Sequence, residues 1–163
     1  MTTTRATTGV TTYATPSDRE VAVTRVVAAP RRIVFDAWTN PKHVSKWLLG
    51  PAGWTMPVCE IDLRPGGAWR HVWRKADGSE MAMAGTFREV APPARVVSTE
   101  QWGPEWPETI NTVVFTESDG QTTITLTITY PSKEARDAAL KTGMKDGMEQ
   151  SFDRFDTVVA GLS

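Results

Sequence analysis

The sequence predicts an α+β domain in which a curved antiparallel sheet of about seven strands wraps around a long C-terminal helix, with two short helices after the first strand. Three patterns support this prediction: strand-type alternation at 20–27 and 123–130, several strand-like segments joined by tight turns between 55 and 130, and an apolar stripe at helical spacing near the C-terminus. Because antiparallel sheets twist and curl, such a sheet leaves space against a single helix. We expect the functional site in that space.

Composition narrows the class of protein. The 163 residues are 40% hydrophobic and 23% charged, which is typical of a globular domain. The 18 Lys and Arg residues against 19 Asp and Glu residues give a net charge of −1, which argues against a general nucleic-acid binder. Apolar runs are short and the N-terminus lacks a signal-peptide pattern, so we expect a cytoplasmic protein with no membrane insertion. A single cysteine excludes an intramolecular disulfide framework. One cysteine and two histidines are too few ligands for an ordinary structural zinc site, and we expect neither a metal nor a cofactor.

The N-terminal segment differs in character from the rest of the chain. Residues 1–18 are rich in threonine and poor in large apolar side chains, which predicts a flexible arm ahead of a single folded domain over 19–163. Val10 and Tyr13 leave open that the end of this arm pairs with a sheet edge.

The first elements of the domain follow from local signals. Residues 20–27 are β-branched and alternating, which favours a strand. Pro30 suits a first helical turn, and Asn40 followed by Pro41 ends that helix and caps a second, short one. Gly50 then ends the second helix.

The middle of the chain has the period of strands. Turn signals at 64–67, 76–78, 92–93, 103–107 and 118–120 separate the predicted strands, which are 55–63, 68–75, 81–90, 95–102, 109–117 and 123–130. Short connections between successive strands predict antiparallel pairing with one covered face and one wet face.

The C-terminal region predicts the long helix. Ser132 is a plausible N-cap, and Gly143 predicts a break or bend in the helix. The stripe that would face the sheet has spacings of three and four and consists of Met144, Met148, Phe152, Phe155, Val159 and Leu162.

The hairpin at 76–78 fixes a register. A three-residue loop with Gly78 in the left-handed region places Trp73 opposite Met81, and by the same register His71 opposite Met83 and Trp69 opposite Gly85. A two- or four-residue loop would bring arginine onto the same face. We prefer the first register because it collects the large apolar groups on one side, where Gly85 leaves room beside Trp69.

Candidate ligand-lining residues come from that face, from the helices and from an aromatic loop. His71 is either a polar ligand anchor, a general acid or base, or an ordinary histidine at the edge of the core. Trp102, beside the proline-bounded loop 103–107, belongs to a lid, to an aromatic clamp that packs a strand connection, or to an oligomer contact. The full predicted lining is Trp47, Trp69, His71, Trp73, Met81, Met83, Trp102, Met144 and Met148.

Other polar side chains give weaker evidence for a ligand site. Glu60 and Asp62 share a strand face, and we favour a solvated face over a buried ligand grip. Cys59 is expected to be a buried, inert thiol. The pattern at 95–102 does not decide whether Glu100 and Trp102, or instead Thr99 and its neighbours of the same parity, point inward.

Several motifs together resemble a known family. They are Ala29-Pro30 with Val34-Phe35-Asp36-Ala37-Trp38, Asn40-Pro41 with Trp47, Gly50-Pro51, the run 60–69, Asp77-Gly78, the run 85–90 and the run 143–155. Over about 20–160 the chain resembles the helix-grip fold of the START-related (SRPBCC) superfamily, in the family named for the C-terminal domain of activators of the heat-shock protein 90 ATPase. The resemblance implies a hydrophobic ligand cavity.

Three functions follow as hypotheses. The first is binding of a small hydrophobic ligand, aromatic or lipid-like, between sheet and C-terminal helix, by a monomer or a homodimer. The second is a cyclase- or dehydratase-type enzyme that uses the same cavity with His71 as acid or base. The third is a chaperone-associated interaction protein, which we disfavour because residues 1–18 cannot supply the activators' N-terminal domain. We favour binding over catalysis.

Overall fold

A computed structural model describes residues 7–162. The expected flexibility of residues 1–6 lies outside the described residues. The elements, in chain order, are β1 (Thr11–Ala14), β2 (Glu20–Val27), α1 (Arg31–Thr39), α2 (Pro41–Trp47), β3 (Trp54–Ile61), β4 (Ala68–Lys75), β5 (Glu80–Ala91), β6 (Arg95–Glu100), β7 (Thr109–Ser118), β8 (Gln121–Thr129), α3 (Lys133–Leu140) and α4 (Met144–Leu162).

The sheet has eight strands in the order β1-β2-β8-β7-β6-β5-β4-β3, and all neighbouring pairs are antiparallel. The expected number was about seven. The additional strand is β1, which lies within the segment 1–18 and pairs Tyr13 with Val23 of β2. Residues 11–14 therefore form an edge strand, as the pairing alternative for Tyr13 allowed. The division into an arm over 1–18 and a domain over 19–163 stays a prediction.

The predicted hairpin register is confirmed. Trp73 pairs with Met81, His71 with Met83, and Trp69 with Gly85 across β4 and β5. Gly78 has φ of +90°, the left-handed conformation that the three-residue loop requires. One strand face thus carries the aromatic residues of β4.

The helix boundaries follow the predicted caps. The Asn40 side chain accepts a hydrogen bond from the Lys42 backbone N–H, and the Ser132 side chain accepts one from Ala135 N–H. The predicted break is confirmed, because α3 ends at Leu140 and α4 begins at Met144. Pro30 lies at the N-cap of α1 rather than inside its first turn.

The core fills the concave side of the sheet. Ile124, Leu126 and Ile128 of β8 pack in one cluster with Phe155 and Val159 of α4. At the ends of the predicted stripe burial is weaker, since Met144 and Met148 are partly buried and Leu162 is exposed. Nearer α1 and α2, ring-to-ring contacts join Phe35, Trp38, Trp47, Phe115, Phe152 and Phe155.

A buried arginine ties the first strands to the last helix. Arg25 of β2 is 1% exposed, and its guanidinium donates to Asp156 Oδ2 at 2.6 Å and Asp153 Oδ1 at 3.1 Å. It also donates to the Thr11 hydroxyl of β1 at 2.7 Å. Two carboxylates and a hydroxyl thereby offset the cost of burying this charge.

Candidate functional site

Three alternate residues of β4 line the inner face of the sheet. Trp69, His71 and Trp73 are 7%, 5% and 3% exposed, and the His71 ring lies between the two indoles. Its centroid is 4.9 Å from that of Trp69 and 5.8 Å from that of Trp73. Met83, opposite His71, is also buried. We call Trp69, His71 and Trp73 the β4 aromatic row. Together with Met83 of β5, the row brings four of the predicted lining residues into one place.

His71 is a polar group in an apolar environment. Its Nδ1 is buried and has no hydrogen-bond partner within residues 7–162. Burial lowers the pKa of His71 to about 4, while a hydrogen bond with the Arg70 backbone opposes that shift. The imidazole is therefore neutral at pH 7, with one nitrogen able to donate and the other able to accept.

The indole N–H groups of the row are already engaged. Trp73 Nε1 donates to the Leu48 carbonyl at 2.7 Å, and Trp69 Nε1 donates to the Thr99 carbonyl at 3.2 Å. The room expected beside Gly85 is taken by this second contact, because a Cβ at position 85 would overlap the Thr99 carbonyl oxygen and lie 2.8 Å from Trp69 Nε1. Gly85 thus permits close packing and does not widen a cavity.

An aromatic rim borders the row. Trp102 stacks on Trp73 with ring centroids 5.3 Å apart and planes 12° apart. Trp102 is 36% exposed, Trp106 42% and Met81 41%, although Met81 pairs with the buried Trp73. We call Met81, Trp102 and Trp106 the aromatic rim. Met81 and Trp102, both predicted to line a cavity, therefore lie partly in solvent.

A carboxylate and an amide extend the row on β6 and β7. Trp102 Nε1 donates to Glu100 Oε1 at 2.6 Å, and Asn111 Nδ2 donates to Glu100 Oε2. Burial raises the pKa of Glu100, while these two donors oppose the shift. Nearby, burial and the Glu100 charge raise the pKa of Tyr130 to about 12.

The structure answers what the strand pattern at 95–102 left open. Ser98 has the parity of Glu100 and pairs with Phe87 of β5, which is buried in the core cluster, so this set faces inward even though Thr99 of the other set is also buried. Asn111 was not singled out from the sequence. The signal that could have found it is the strand register, because Asn111 pairs with Ser98 of β6, which has the parity of Glu100.

The remaining predicted lining residues lie on other elements. Trp47 is 3% exposed, donates from Nε1 to the Ala37 carbonyl at 2.9 Å, and lies 4.8 Å from the Phe155 ring centroid. Trp47 therefore belongs to the cluster of aromatic rings near α1 and α2, where it contacts Trp38 and Phe155. Met144 and Met148 are partly buried on α4 and pack against the core cluster.

Gly147 and Ser151 lie on the face of α4 that contacts the segment after α2. Ser151 Oγ accepts a hydrogen bond from Gly50 N–H at 2.9 Å, and a Cβ at Gly147 would be 3.5 Å from Pro51 Cδ. Arg154 also donates to the Gly50 carbonyl at 2.8 Å. The segment after α2 is therefore fastened to α4.

The strand face of Glu60 and Asp62 is exposed, as we favoured, and Asp62 pairs with Arg64 at 2.9 Å. Cys59 is half-buried opposite His71, and burial raises the pKa of its thiol to about 11. The thiol is therefore protonated at neutral pH and is a poor nucleophile.

Two further features bear on function. Within residues 7–162, no three His, Cys, Asp or Glu side chains are grouped as metal ligands. A separate cleft of about 160 Å³ lies between residues 8–9, the end of β2 and α4, and is lined by Thr8, Gly9, Val27, Ala28, Asp156, Val159 and Ala160. Its one ionisable side chain, Asp156, is already paired with Arg25.

A curved antiparallel sheet that packs against a long C-terminal helix, with an indole-rich inner face, is the helix-grip architecture of START-related proteins. Residues 28–160 match the family model described as "Activator of Hsp90 ATPase homolog 1-like protein". The chain belongs to this family. No curated protein matches it. None of the helices in residues 7–162 is long and apolar enough to cross a bilayer.

Solved structures share the fold along most of the chain. A protein from Rhodobacter sphaeroides is 27% identical, with a TM-score of 0.88 and coverage of 94% of this chain and 100% of that one. A protein from Mycobacterium smegmatis is 26% identical, with a TM-score of 0.76 and coverage of 86% and 90%. An AHSA1-like protein from Aeromonas hydrophila is 22% identical, with a TM-score of 0.69 and coverage of 87% and 95%.

Proposed function

We propose that this protein binds a small hydrophobic ligand between the inner face of the sheet and α4. The observation that carries the proposal is the buried His71 Nδ1, which lacks a hydrogen-bond partner within residues 7–162 and lies between two indole rings. An unpaired buried polar atom costs about 1–3 kcal/mol, and a ligand that pairs with it recovers this energy.

The surroundings of His71 have the make-up of a ligand site. Such sites are mostly apolar, with a few polar groups that fix orientation. Trp69, Trp73 and Met83 supply the apolar surface beside His71. Met144 and Met148 would adapt to ligand shape from the side of α4, since methionine side chains are flexible.

Binding is better supported than acid catalysis at His71. A general acid must be protonated at the working pH, whereas burial lowers the pKa of His71 to about 4. Within residues 7–162, the ring contacts of His71 are with Trp69 and Trp73, and it forms no ion pair with a carboxylate.

The test begins with native mass spectrometry of the purified protein, followed by denaturing release of any bound molecule. Tryptophan fluorescence then follows titration with naphthylethanol, a neutral apolar probe. We expect saturable binding that His71→Leu weakens about tenfold, since one buried hydrogen bond is lost. His43→Leu, on α2, is the matched control and should bind as the unmodified protein does. Absence of both a released molecule and saturable probe binding would contradict the proposal.

The exposed aromatic rim supports a second candidate, an interaction surface for a protein partner such as a chaperone. Exposed apolar side chains that cluster on one surface mark such sites. Trp106→Ala should then abolish partner capture while leaving probe binding intact, because Trp106 is 42% exposed. If Trp106→Ala leaves partner capture unchanged while the probe still binds, the rim is not the interaction surface and ligand binding alone is supported.

A further inference from the structure

The inner face of β6 and β7 carries the Glu100 carboxylate, which has no cationic side chain paired with it within residues 7–162. Trp102 and Asn111, both neutral donors, each occupy one oxygen of Glu100. A carboxylate has about four acceptor positions, so Glu100 can accept further hydrogen bonds.

A second acceptor lies beside the first. Asn111 Oδ1 is buried and has no hydrogen-bond partner within the described part of the chain, because Asn111 uses its amide nitrogen on Glu100. The Glu100 carboxylate is surrounded by protein, yet part of the side chain remains accessible. A ligand that satisfies both groups must therefore carry hydrogen-bond donors.

The aromatic surroundings favour a positive charge on those donors. The indole of Trp102, which donates to Glu100, stacks on Trp73. The faces of indole rings attract cations, and the attraction grows as water is excluded. The carboxylate and the unpaired amide oxygen therefore form an acceptor pair complementary to an ammonium group, and the stacked indoles beside them limit the access of water.

We propose that Glu100 and Asn111 bind the amino group of an amine ligand whose apolar body packs on the β4 aromatic row. The proposal rests on the proposed function, since it names the polar end of the same ligand site. The ammonium group donates to Glu100 and to Asn111 Oδ1 and neutralises the buried carboxylate.

The experiment compares three probes with the same naphthylethyl body: naphthylethylamine, naphthylethanol and 3-naphthylpropanoate. Isothermal titration calorimetry at pH 7 should give affinity for the amine about tenfold above that for the alcohol, because hydrogen bonds to charged groups are roughly twice as strong as neutral ones. The acid should bind most weakly, since like charges repel at Glu100.

The variant Glu100→Gln should reduce the preference for the amine over the alcohol to about twofold or less while the alcohol still binds, because the ionic part of the contact is lost. Glu105→Gln, an exposed change of the same charge in the adjacent loop, should keep the full preference. Thermal melts of both variants establish that each is folded at the titration temperature.

The outcomes separate the two proposals. If the alcohol binds but the amine is not preferred, or if Glu100→Gln keeps the preference, the amine proposal is wrong and hydrophobic binding stands. If the acid binds best, the site recognises anions and the amine proposal is equally wrong. If none of the three probes binds, hydrophobic ligand binding fails, and the amine proposal fails with it.

Discussion

Trp73 and Trp102 stack face to face, with their ring planes only 12° apart, across the boundary between the buried inner face and the solvent. Trp73 is 3% exposed and Trp102 36%. The pair therefore links the packed β4 aromatic row to the segment that follows β6. Since Trp102 also donates to Glu100, the position of that carboxylate depends on the stacked pair.

Trp73→Phe should lower the free energy of unfolding by about 1–3 kcal/mol, because the Leu48 carbonyl loses its donor while the ring stacking is largely retained. Urea unfolding followed by circular dichroism measures the change. Trp106→Phe, on the exposed rim, should stay within about 0.5 kcal/mol of the unmodified protein. Equal stability of Trp73→Phe and the unmodified protein would show that this hydrogen bond contributes nothing.

Gly85→Ala should be strongly destabilising, by about 3 kcal/mol or more, because the added methyl group overlaps backbone that two strands hold in place. The readout is the yield of soluble protein together with the melting temperature. Gly161→Ala is the matched control, since a Cβ there meets nothing within 4 Å and lies in α4. This control should be neutral or slightly stabilising.

Arg25→Met should cost about 3 kcal/mol, because the charge that neutralises Asp153 and Asp156 is removed from a buried position. Chemical denaturation measures the loss. Arg88→Met, at an exposed position of β5, should change stability by less than about 0.5 kcal/mol. If the two variants were equally stable, Arg25 would not be the group that holds α4 to the first strands.

His71 should make the protein less stable as the pH falls from about 6.5 to 4. Its pKa is lowered from 6.5 in the unfolded chain to about 4 in the folded protein, so the unfolded chain binds more protons in this window. The free energy of unfolding attributable to His71 therefore decreases on acidification, by up to roughly 3 kcal/mol between pH 6.5 and pH 4.

Comparison of unfolding curves at pH 7.5 and 4.5 for His71→Asn and the unmodified protein isolates this contribution. The variant should lose part of the acid sensitivity, whereas His43→Asn should keep the His71 part of it. An unchanged pH dependence in His71→Asn would mean that His71 is not held neutral by burial.

Most of the fold could be predicted from local signals. Alternation and turns located β2 and β4 with their observed ends, and the hairpin loop set the partners of Trp69, His71 and Trp73. These features depend on residues close in sequence, which is why a single sequence carries them.

The misses depend on contacts between distant segments. β1 is threonine-rich and lacks apolar alternation, and its polar contacts come from far along the chain, as when Tyr13 donates to the Lys145 carbonyl at 3.2 Å. The inward direction of Glu100 follows from pairing with β7, which the mixed polarity of 95–102 does not reveal. Asn111 likewise becomes visible only once strands β6 and β7 are aligned.

The contacts of Arg25 with Thr11, Asp153 and Asp156 bear on the route by which the proposed ligand would reach the inner face of the sheet. Outward movement of α4 would break the ion pairs of Arg25 with Asp153 and Asp156 and the hydrogen bond from Tyr13 to the Lys145 carbonyl. These contacts therefore hold α4 against β1 and β2 at this edge of the sheet. We therefore expect the proposed ligand to enter at the other side of the sheet, where Met81 and Trp102 are exposed.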